Sequence, residues 1–391
     1  MKWWVFLLIT TPALAYYPYQ IRSHEVAVCD DSYLELTNLP PIRDQGSIGI
    51  CYAFSSLLLL EHLKCSEDID PVQCYASNRA SPIDMTKYLK TKAENEVTVG
   101  GDPQTVLARF SSHKKLVNEA CASMNNWKKL GYNPDFDDYF HQIHNAILNG
   151  ATQSEIQCFA EDLSLAQLGE VDDLLKILAK AKNLSVGKLR SEVLYKKDCS
   201  APEITFPSYQ AHTYPARNES KTNQGILNFV KKNLAVKSPV EVSFCAEKDP
   251  QGRCYYHSAT ITGMRNICHA SQCQVQYKIQ NSYGRAWQDN HDDGWVNSKL
   301  INNSIIQTPG LNLNSITKLG RVLATTSPYK VHHTQPQIDG LCGKAGEKND
   351  SLTPVEQSPK TKGPVIFHCK DGAGRLHFSD KPLSGMFCKA Q

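Results

Sequence analysis

The sequence predicts an α+β protein, with helices in its first two-thirds and strands gathered after residue 240. Three observations carry this expectation. Cys51-Tyr52-Ala53-Phe54-Ser55-Ser56-Leu57-Leu58-Leu59-Leu60-Glu61-His62-Leu63 is apolar on nearly every helical face, the pattern of a helix buried in the middle of a domain. Residues 103–197 carry helical periodicity near 105–116, 138–148, 164–181 and 186–194, and 223–234 adds one more stretch. From Val240 the period falls to two: Val240-Glu241-Val242-Ser243-Phe244 alternates, as do 258–262 and 274–279, which reads as strands.

The chain opens with Lys2, an apolar run from Trp3 to Ile9, and Ala13-Leu14-Ala15. This reads as an export signal over residues 1–15, and its apolar run is too short to span a bilayer. Residues 16–40 form a short lead-in containing Cys29. Pro41-Ile42-Arg43-Asp44-Gln45-Gly46 then reads as an extended segment entering a turn, and Gly49 precedes the 51–63 helix. The Pro- and Tyr-containing stretch 202–217 reads as loop. One large domain is expected over 16–325, with a helical insertion at about 120–200. A Thr/Ser/Pro-rich linker follows at 326–363. Val365-Ile366-Phe367-His368-Cys369 and Arg375-Leu376-His377-Phe378 flank Asp371-Gly372-Ala373-Gly374, a hairpin signal. The expected module, 364–391, is small enough to need a staple, and Cys369 and Cys388 are placed to supply it.

With a net charge of +3 and no block of Lys or Arg, the chain lacks the concentrated basic face that a nucleic-acid partner demands. No later segment is apolar enough to span a membrane, so a secreted or periplasmic protein is expected. Fourteen cysteines behind an export signal imply an oxidising compartment and a disulfide framework. If Cys51 stays free, thirteen remain, so at least one further thiol is free or bridges to another chain.

Cys51 stands at the first turn of its helix, where unpaired N–H groups and the helix dipole lower a thiol pKa. A thiolate nucleophile also needs a histidine partner, a polar group to fix the imidazole, and donors for the developing oxyanion. Gln45-Gly46-Ser47-Ile48-Gly49-Ile50-Cys51-Tyr52-Ala53-Phe54-Ser55 resembles the nucleophile segment of papain and the cathepsins, Gln-Gly-x-Cys-Gly-Ser-Cys-Trp-Ala-Phe-Ser. Tyr256-His257-Ser258-Ala259-Thr260-Ile261-Thr262-Gly263-Met264 is similar to that family's histidine strand. Tyr277-Lys278-Ile279-Gln280-Asn281-Ser282-Tyr283-Gly284, followed by Trp287 and Gly294-Trp295, is similar to its Lys-Asn-Ser-Trp-Gly segment. Ser81-Pro82 with Gly100-Gly101 echoes the stretch lining the non-primed side of the cleft.

The resemblance implies a two-lobed papain-like cysteine peptidase acting on proteins or peptides, with no metal or other cofactor. It implies Cys51 as nucleophile, His257 as its proton partner and Asn281 as the group holding the imidazole. Gln45 and the Cys51 backbone N–H would form the oxyanion hole; a Gln amide donates without bringing a charge. Several positions depart from the family. Ile48 replaces a disulfide cysteine, and Ile50 replaces a small Ser and is expected to reshape the cleft edge. Tyr52 and Tyr283 replace tryptophans, the second of which shields the His–Asn hydrogen bond. Between Cys51 and His257 lie several tens of residues more than the family core needs; the surplus at 120–200 would cap the cleft or form an outer helical layer. Between His257 and Asn281, Cys268 and Cys273 are expected to close a hairpin. Residues 16–40 are too few for the family's inhibitory pro-segment.

Other candidates are weaker. His141 and His144 share a helical face but lack a carboxylate or cysteine partner, so packing or solvation is expected. His291-Asp292-Asp293 reads as a polar loop, and His332-His333 falls in the linker. The C-terminal segment resembles a small domain of exported bacterial proteins and could bind a surface or partner protein. Two rival readings stay open at this point: a silent binding protein on the same scaffold, and an acyl transferase using the same groups.

Overall fold

The structure, a computed structural model, describes residues 33–319 apart from 47, 90–95, 98–99, 123–135, 167, 196–198, 217–218, 249–250 and 270–271. It also describes the strand backbones 27–28, 367–370, 376–379 and 387–390. The signal segment 1–15, the linker 326–363 and the His332-His333 pair lie outside the described residues.

Helices and an antiparallel sheet build two adjoining cores. After β1 (Ala27–Val28) and β2 (Leu34–Glu35) come α1 (Cys51–Cys65), α2 (Pro71–Ser77), α3 (Pro82–Thr86), α4 (Pro103–Phe110) and β3 (Lys115–Leu116). Helices α5 (Phe136–Leu148), α6 (Gln153–Leu165), α7 (Val171–Leu178) and α8 (Val186–Leu194) follow, then β4 (Ile204–Thr205), which pairs with β3. The sheet half contains β5 (Tyr209–Tyr214), α9 (Asn223–Ala235), β6 (Val240–Lys248), β7 (Cys254–His269) and β8 (Gln272–Gln280). It is completed by α10 (Gly284–Asn290), β9 (Trp295–Asn297), α11 (Ser298–Gln307) and β10 (Leu313–Lys318). The sheet runs β5-β10-β6-β7-β8-β9, with β1 and β2 also against β7.

Helix α1 is the axis of the first core. Tyr52, Ala53, Leu57, Leu59 and Leu60 are fully buried, as an all-round apolar helix requires. Its buried polar groups have partners: Glu61 meets Arg43, and His62 Nε2 lies 2.9 Å from the Lys237 carbonyl. Phe140, Leu163, Leu178 and Leu189 of α5–α8 share one hydrophobic cluster with α1. The surplus chain therefore extends the α1 core as a helical layer. The second core packs Val240, Val242, Ile261 and Tyr277 of the sheet against Ile226 and Val230 of α9 and Ile301 and Ile305 of α11.

Three local expectations are corrected. The periodic stretch 164–181 is two helices: α6 starts earlier, at a capping box between Thr152 and Glu155, and Gly169 precedes the separate α7. Such a box satisfies two orphan donors and fixes a helix start. The stretch 105–116 stops at Phe110, and Lys114 takes a positive φ of 60° that turns the chain into β3. The expected loop at 202–217 contains β5, which pairs along its six residues with β10; that partner lies far along the chain and leaves no local signal.

Cys65–Cys74, Cys121–Cys199 and Cys245–Cys254 are disulfides. Cys273 is also disulfide-bonded, and the β7–β8 register sets Cys268 opposite it. Among the described residues Cys51 and Cys158 are free thiols. No described helix is long and apolar enough to cross a membrane. At the C-terminus, β11 (Phe367–Lys370), β12 (Leu376–Ser379) and β13 (Phe387–Ala390) make a sheet ordered β12-β11-β13. A third strand thus joins the expected hairpin, and its register pairs Cys369 with Cys388.

Leu59→Ala should lower the free energy of unfolding by about 2–5 kcal/mol, the range for truncating a buried leucine. Urea denaturation of the two proteins measures it.

Candidate active site

The segment before α1 ties the two cores together. Arg43 donates to both Glu61 carboxylate oxygens at 2.7 and 2.8 Å and to the Ala80 carbonyl at 3.0 Å. Both charged groups are buried, and a second carboxylate, Glu119, stands 3.6 Å from Arg43, so the cation is held between two acids. On its other side this segment joins the chain leaving β8. The Gly284 amide donates to the Arg43 carbonyl at 3.0 Å and the Gln45 amide to the Ser282 carbonyl at 2.7 Å. Gly284 takes a φ of 84°, and a Cβ there would stand 2.7 Å from an Asp44 carboxylate oxygen, so glycine is needed for this approach.

This pairing orients Gln45. Its Oε1 accepts from Ser282 Oγ at 2.5 Å, and its Nε2 donates to the Ile48 carbonyl at 2.9 Å. With the carbonyl end held by Ser282, the amide nitrogen keeps its second hydrogen for another acceptor. Ile48 and Ile50 are both fully buried. Ile50 therefore belongs to the core and does not shape the cleft edge, contrary to the sequence expectation.

Cys51 is the first residue of α1, and Ile50 before it provides no side-chain cap. The half-buried thiol is met by the backbone amides of Ser258 and Tyr52. Ser258 follows His257 in β7, so the nucleophile and base candidates lie on adjoining elements. Burial raises the Cys51 pKa, the backbone amides of Ser258, Tyr52 and Cys51 itself pull against it, and the Glu241 carboxylate adds to the rise. Burial is thus the largest influence on the thiol, ahead of the amides that favour its charged form.

His257 is buried on β7 opposite Phe244 of β6. Its Nε2 and Asn281 Oδ1 are 2.7 Å apart. Because Oδ1 can only accept, Nε2 carries the hydrogen, which leaves Nδ1 at the other edge of the ring. Asn281 Oδ1 also accepts the Ser282 amide at 2.7 Å. The Tyr283 ring stacks on the imidazole with centroids 4.5 Å apart, its hydroxyl 3.2 Å from Nδ1. Phe244 meets the imidazole edge-on at 5.8 Å. Burial lowers the His257 pKa to about 4, against the opposing effect of the Asn281 bond. Desolvation acting on each group alone favours a neutral thiol beside a neutral imidazole.

The four residues singled out from sequence are thereby joined through neighbours: His257 to Asn281 directly, Asn281 to Ser282, Ser282 to Gln45, and Cys51 to Ser258. Sequence reasoning missed the Ser282 anchor. It also missed Glu241, whose place in an alternating strand imitates a solvent-facing position but which is fully buried. The remaining candidates are structural. His144 Nε2 lies 2.8 Å from the Leu184 carbonyl, and His291 stacks on Trp287 at 4.3 Å. Arg265 pairs with Asp292 at 3.1 Å and Lys278 with Asp293 at 2.5 Å. Among the described residues no three metal-ligating side chains gather.

No protein-family model and no curated protein matches the chain. Among solved structures it is similar to recombinant stem bromelain precursor (13% identity over 72% of this chain and 68% of that one, TM-score 0.38). It is similar also to the bromelain protease from Ananas comosus in complex with the E64 inhibitor (12% identity, 74% and 100% covered, TM-score 0.37). SERA5E from Plasmodium falciparum matches at 11% identity over 71% and 89%, with a TM-score of 0.36.

A histidine bound neutral in the fold and protonated near pH 6.5 when unfolded contributes stability above that pH, lost as pH falls toward 4. Replacing His257 with Gln should therefore flatten the pH dependence of unfolding free energy between about 6.5 and 4. Urea titrations at several pH values would test this, and parallel curves for the two proteins would contradict it.

Proposed function

We propose that this protein is an exported cysteine peptidase hydrolysing peptide bonds through Cys51, His257, Asn281 and Gln45. The observation that carries the reading is the 2.7 Å bond between His257 Nε2 and Asn281 Oδ1. It fixes the tautomer with the hydrogen on Nε2, so Nδ1, which the Tyr283 hydroxyl neighbours at 3.2 Å, is the ring nitrogen able to take a proton. The Cys51 thiol lies against the amide of Ser258, the residue after His257. A buried histidine serving only the core has no need of a free thiol against the amide of the next residue or of an oriented amide donor bonded to the same Ser282.

In this mechanism His257 Nδ1 takes the Cys51 proton and the thiolate attacks the scissile carbonyl carbon. The negative charge formed on the carbonyl oxygen is met by Gln45 Nε2 and the backbone N–H of Cys51. Collapse expels the amine, which takes the proton from His257, and leaves a thioester on Cys51. Water then attacks the thioester with His257 accepting its proton, releasing the acid and restoring the thiol. The burial that holds the two groups neutral when apart also strengthens their attraction once the proton has crossed, because the local dielectric is low.

Export is supported by the sequence of residues 1–15 and by disulfides, which persist in oxidising compartments. The C-terminal strands are proposed to bind a surface or partner protein.

An epoxysuccinyl thiol inhibitor should give a single adduct on Cys51 and none in Cys51→Ala, read by mass spectrometry. Exposed Cys158 is an internal control: equal labelling of both thiols would mean that Cys51 is not activated, and the peptidase reading would fall. Gln45→Ala should lower kcat by about 10²–10³-fold, the cost of one lost oxyanion donor, measured on a broad peptide mixture. Asn281→Ala should lower kcat/KM by roughly 10²-fold through imidazole misplacement.

A further inference from the structure

Glu241 is a buried carboxyl that the proposed mechanism does not use. It lies on β6 at 0% exposure, directly across from Thr260 of β7 and Asn314 of β10. Burying a carboxylate this completely is costly unless its oxygens are bonded. Its Oε1 accepts from Ser258 Oγ at 2.6 Å and Ser243 Oγ at 3.0 Å, and its Oε2 from Asn314 Nδ2 at 2.6 Å. All three donors are neutral, and among the described residues no cation pairs with it. Hydrogen bonding alone therefore balances the desolvation.

The carboxyl is connected to both halves of the catalytic pair. Ser258 follows His257, and its backbone amide meets the Cys51 thiol. Ser258 Oγ also lies 2.8 Å from Ser55 Oγ, and Ser55 sits one turn after Cys51 on α1 and donates to the Tyr52 carbonyl at 3.1 Å. With Glu241 ionised, Ser258 spends its single hydrogen on the carboxylate, so the Ser55–Ser258 contact is a hydrogen bond only when Ser55 turns its own hydrogen from the Tyr52 carbonyl to Ser258. With Glu241 protonated on Oε1 and its hydrogen given to Ser258 Oγ, Ser258 donates to Ser55, and Ser55 keeps its own hydrogen on the Tyr52 carbonyl. The bonds between the histidine strand and the nucleophile helix thus have two directions, chosen by one proton.

We propose that Glu241 is a positioning residue whose charge, transmitted through Ser258 and Ser55, sets how readily the Cys51–His257 pair ionises. The pair ionises more readily when Glu241 is neutral, because a carboxylate beside the nucleophile opposes a thiolate. The ionisable groups bearing on Glu241 are Cys51 of α1 and Asp102 at the start of α4. Its facing positions on β7 and β10 are Ser258, Thr260 and Asn314, which do not titrate. Burial raises the Glu241 pKa to about 7, against its three hydrogen bonds, and Asp102 adds to the rise. The control therefore operates in the neutral range, favouring the ion pair as pH falls through it.

The inference rests on the peptidase reading, and one experiment separates the two. The rate of Cys51 alkylation by iodoacetamide is followed against pH by mass spectrometry, with Cys158 as reference. Wild type is compared with Glu241→Gln, which removes the charge, and Glu241→Asp, which keeps it. Glu241→Gln should move the Cys51 midpoint to lower pH by roughly one pH unit, while Glu241→Asp stays near wild type. Superimposed profiles for Glu241→Gln and wild type overturn the inference, as do equal displacements in both variants, which would reflect packing. Should neither variant fold, the wild-type profile decides. A rise shallower than one proton through pH 7 supports coupling to Glu241, and a simple one-proton curve rejects it. If wild-type Cys51 reacts no faster than Cys158 at any pH, the peptidase reading itself fails.

Discussion

The bidentate pair between Arg43 and Glu61 is the constraint on which the site depends. It buries a cation between the segment preceding α1 and α1 itself, and the same carboxylate accepts the Ala80 amide at 3.0 Å. A buried pair of this kind adds little net stability against an apolar alternative, yet losing Arg43 would strand the Glu61 charge, whereas Arg43 also has Glu119 at 3.6 Å. Its effect here is geometric. With Arg43 fixed to the helix, the next two residues are presented to the chain leaving β8, and the Gln45–Ser282 contacts follow. The helix with the thiol and the strands with the imidazole and its amide are thereby held in one frame.

Within that frame, desolvation is the dominant electrostatic influence. It raises the Cys51 thiol, lowers His257 to about 4 and raises Glu241 to about 7. All three are moved toward their neutral forms, as transfer from water demands. Burial thus disfavours charge on each of these groups taken singly, and their hydrogen bonds oppose that effect. Tyr283 suits such a site: its ring covers the imidazole face, and its hydroxyl gives Nδ1 a polar neighbour that an indole ring would not place there.

The helical layer α5–α8 concerns stability more than chemistry. Its apolar faces merge with the core of α1, so it increases the buried surface on the helical side. Cys121–Cys199 spans this insertion, closing a long loop whose two ends approach the core near β3 and β4.

Much of the site was legible in the sequence because its groups sit in short local motifs. The order Cys51, His257, Asn281, the Gln45 segment and the all-round apolar α1 are properties of neighbouring residues, and a chain carries such patterns whatever its tertiary contacts. The switch to period two after Val240 likewise marked the sheet half. What depends on residues distant in sequence was not legible: the β5–β10 pairing, the Ser282 anchor of Gln45, and the inward turn of Glu241 in a strand whose alternation imitates an exposed face. The sequence by itself thus determined which chemical groups are present and the elements that carry them. The tertiary structure decided their protonation and orientation, because both depend on how completely water is excluded and on which donors arrive from other segments.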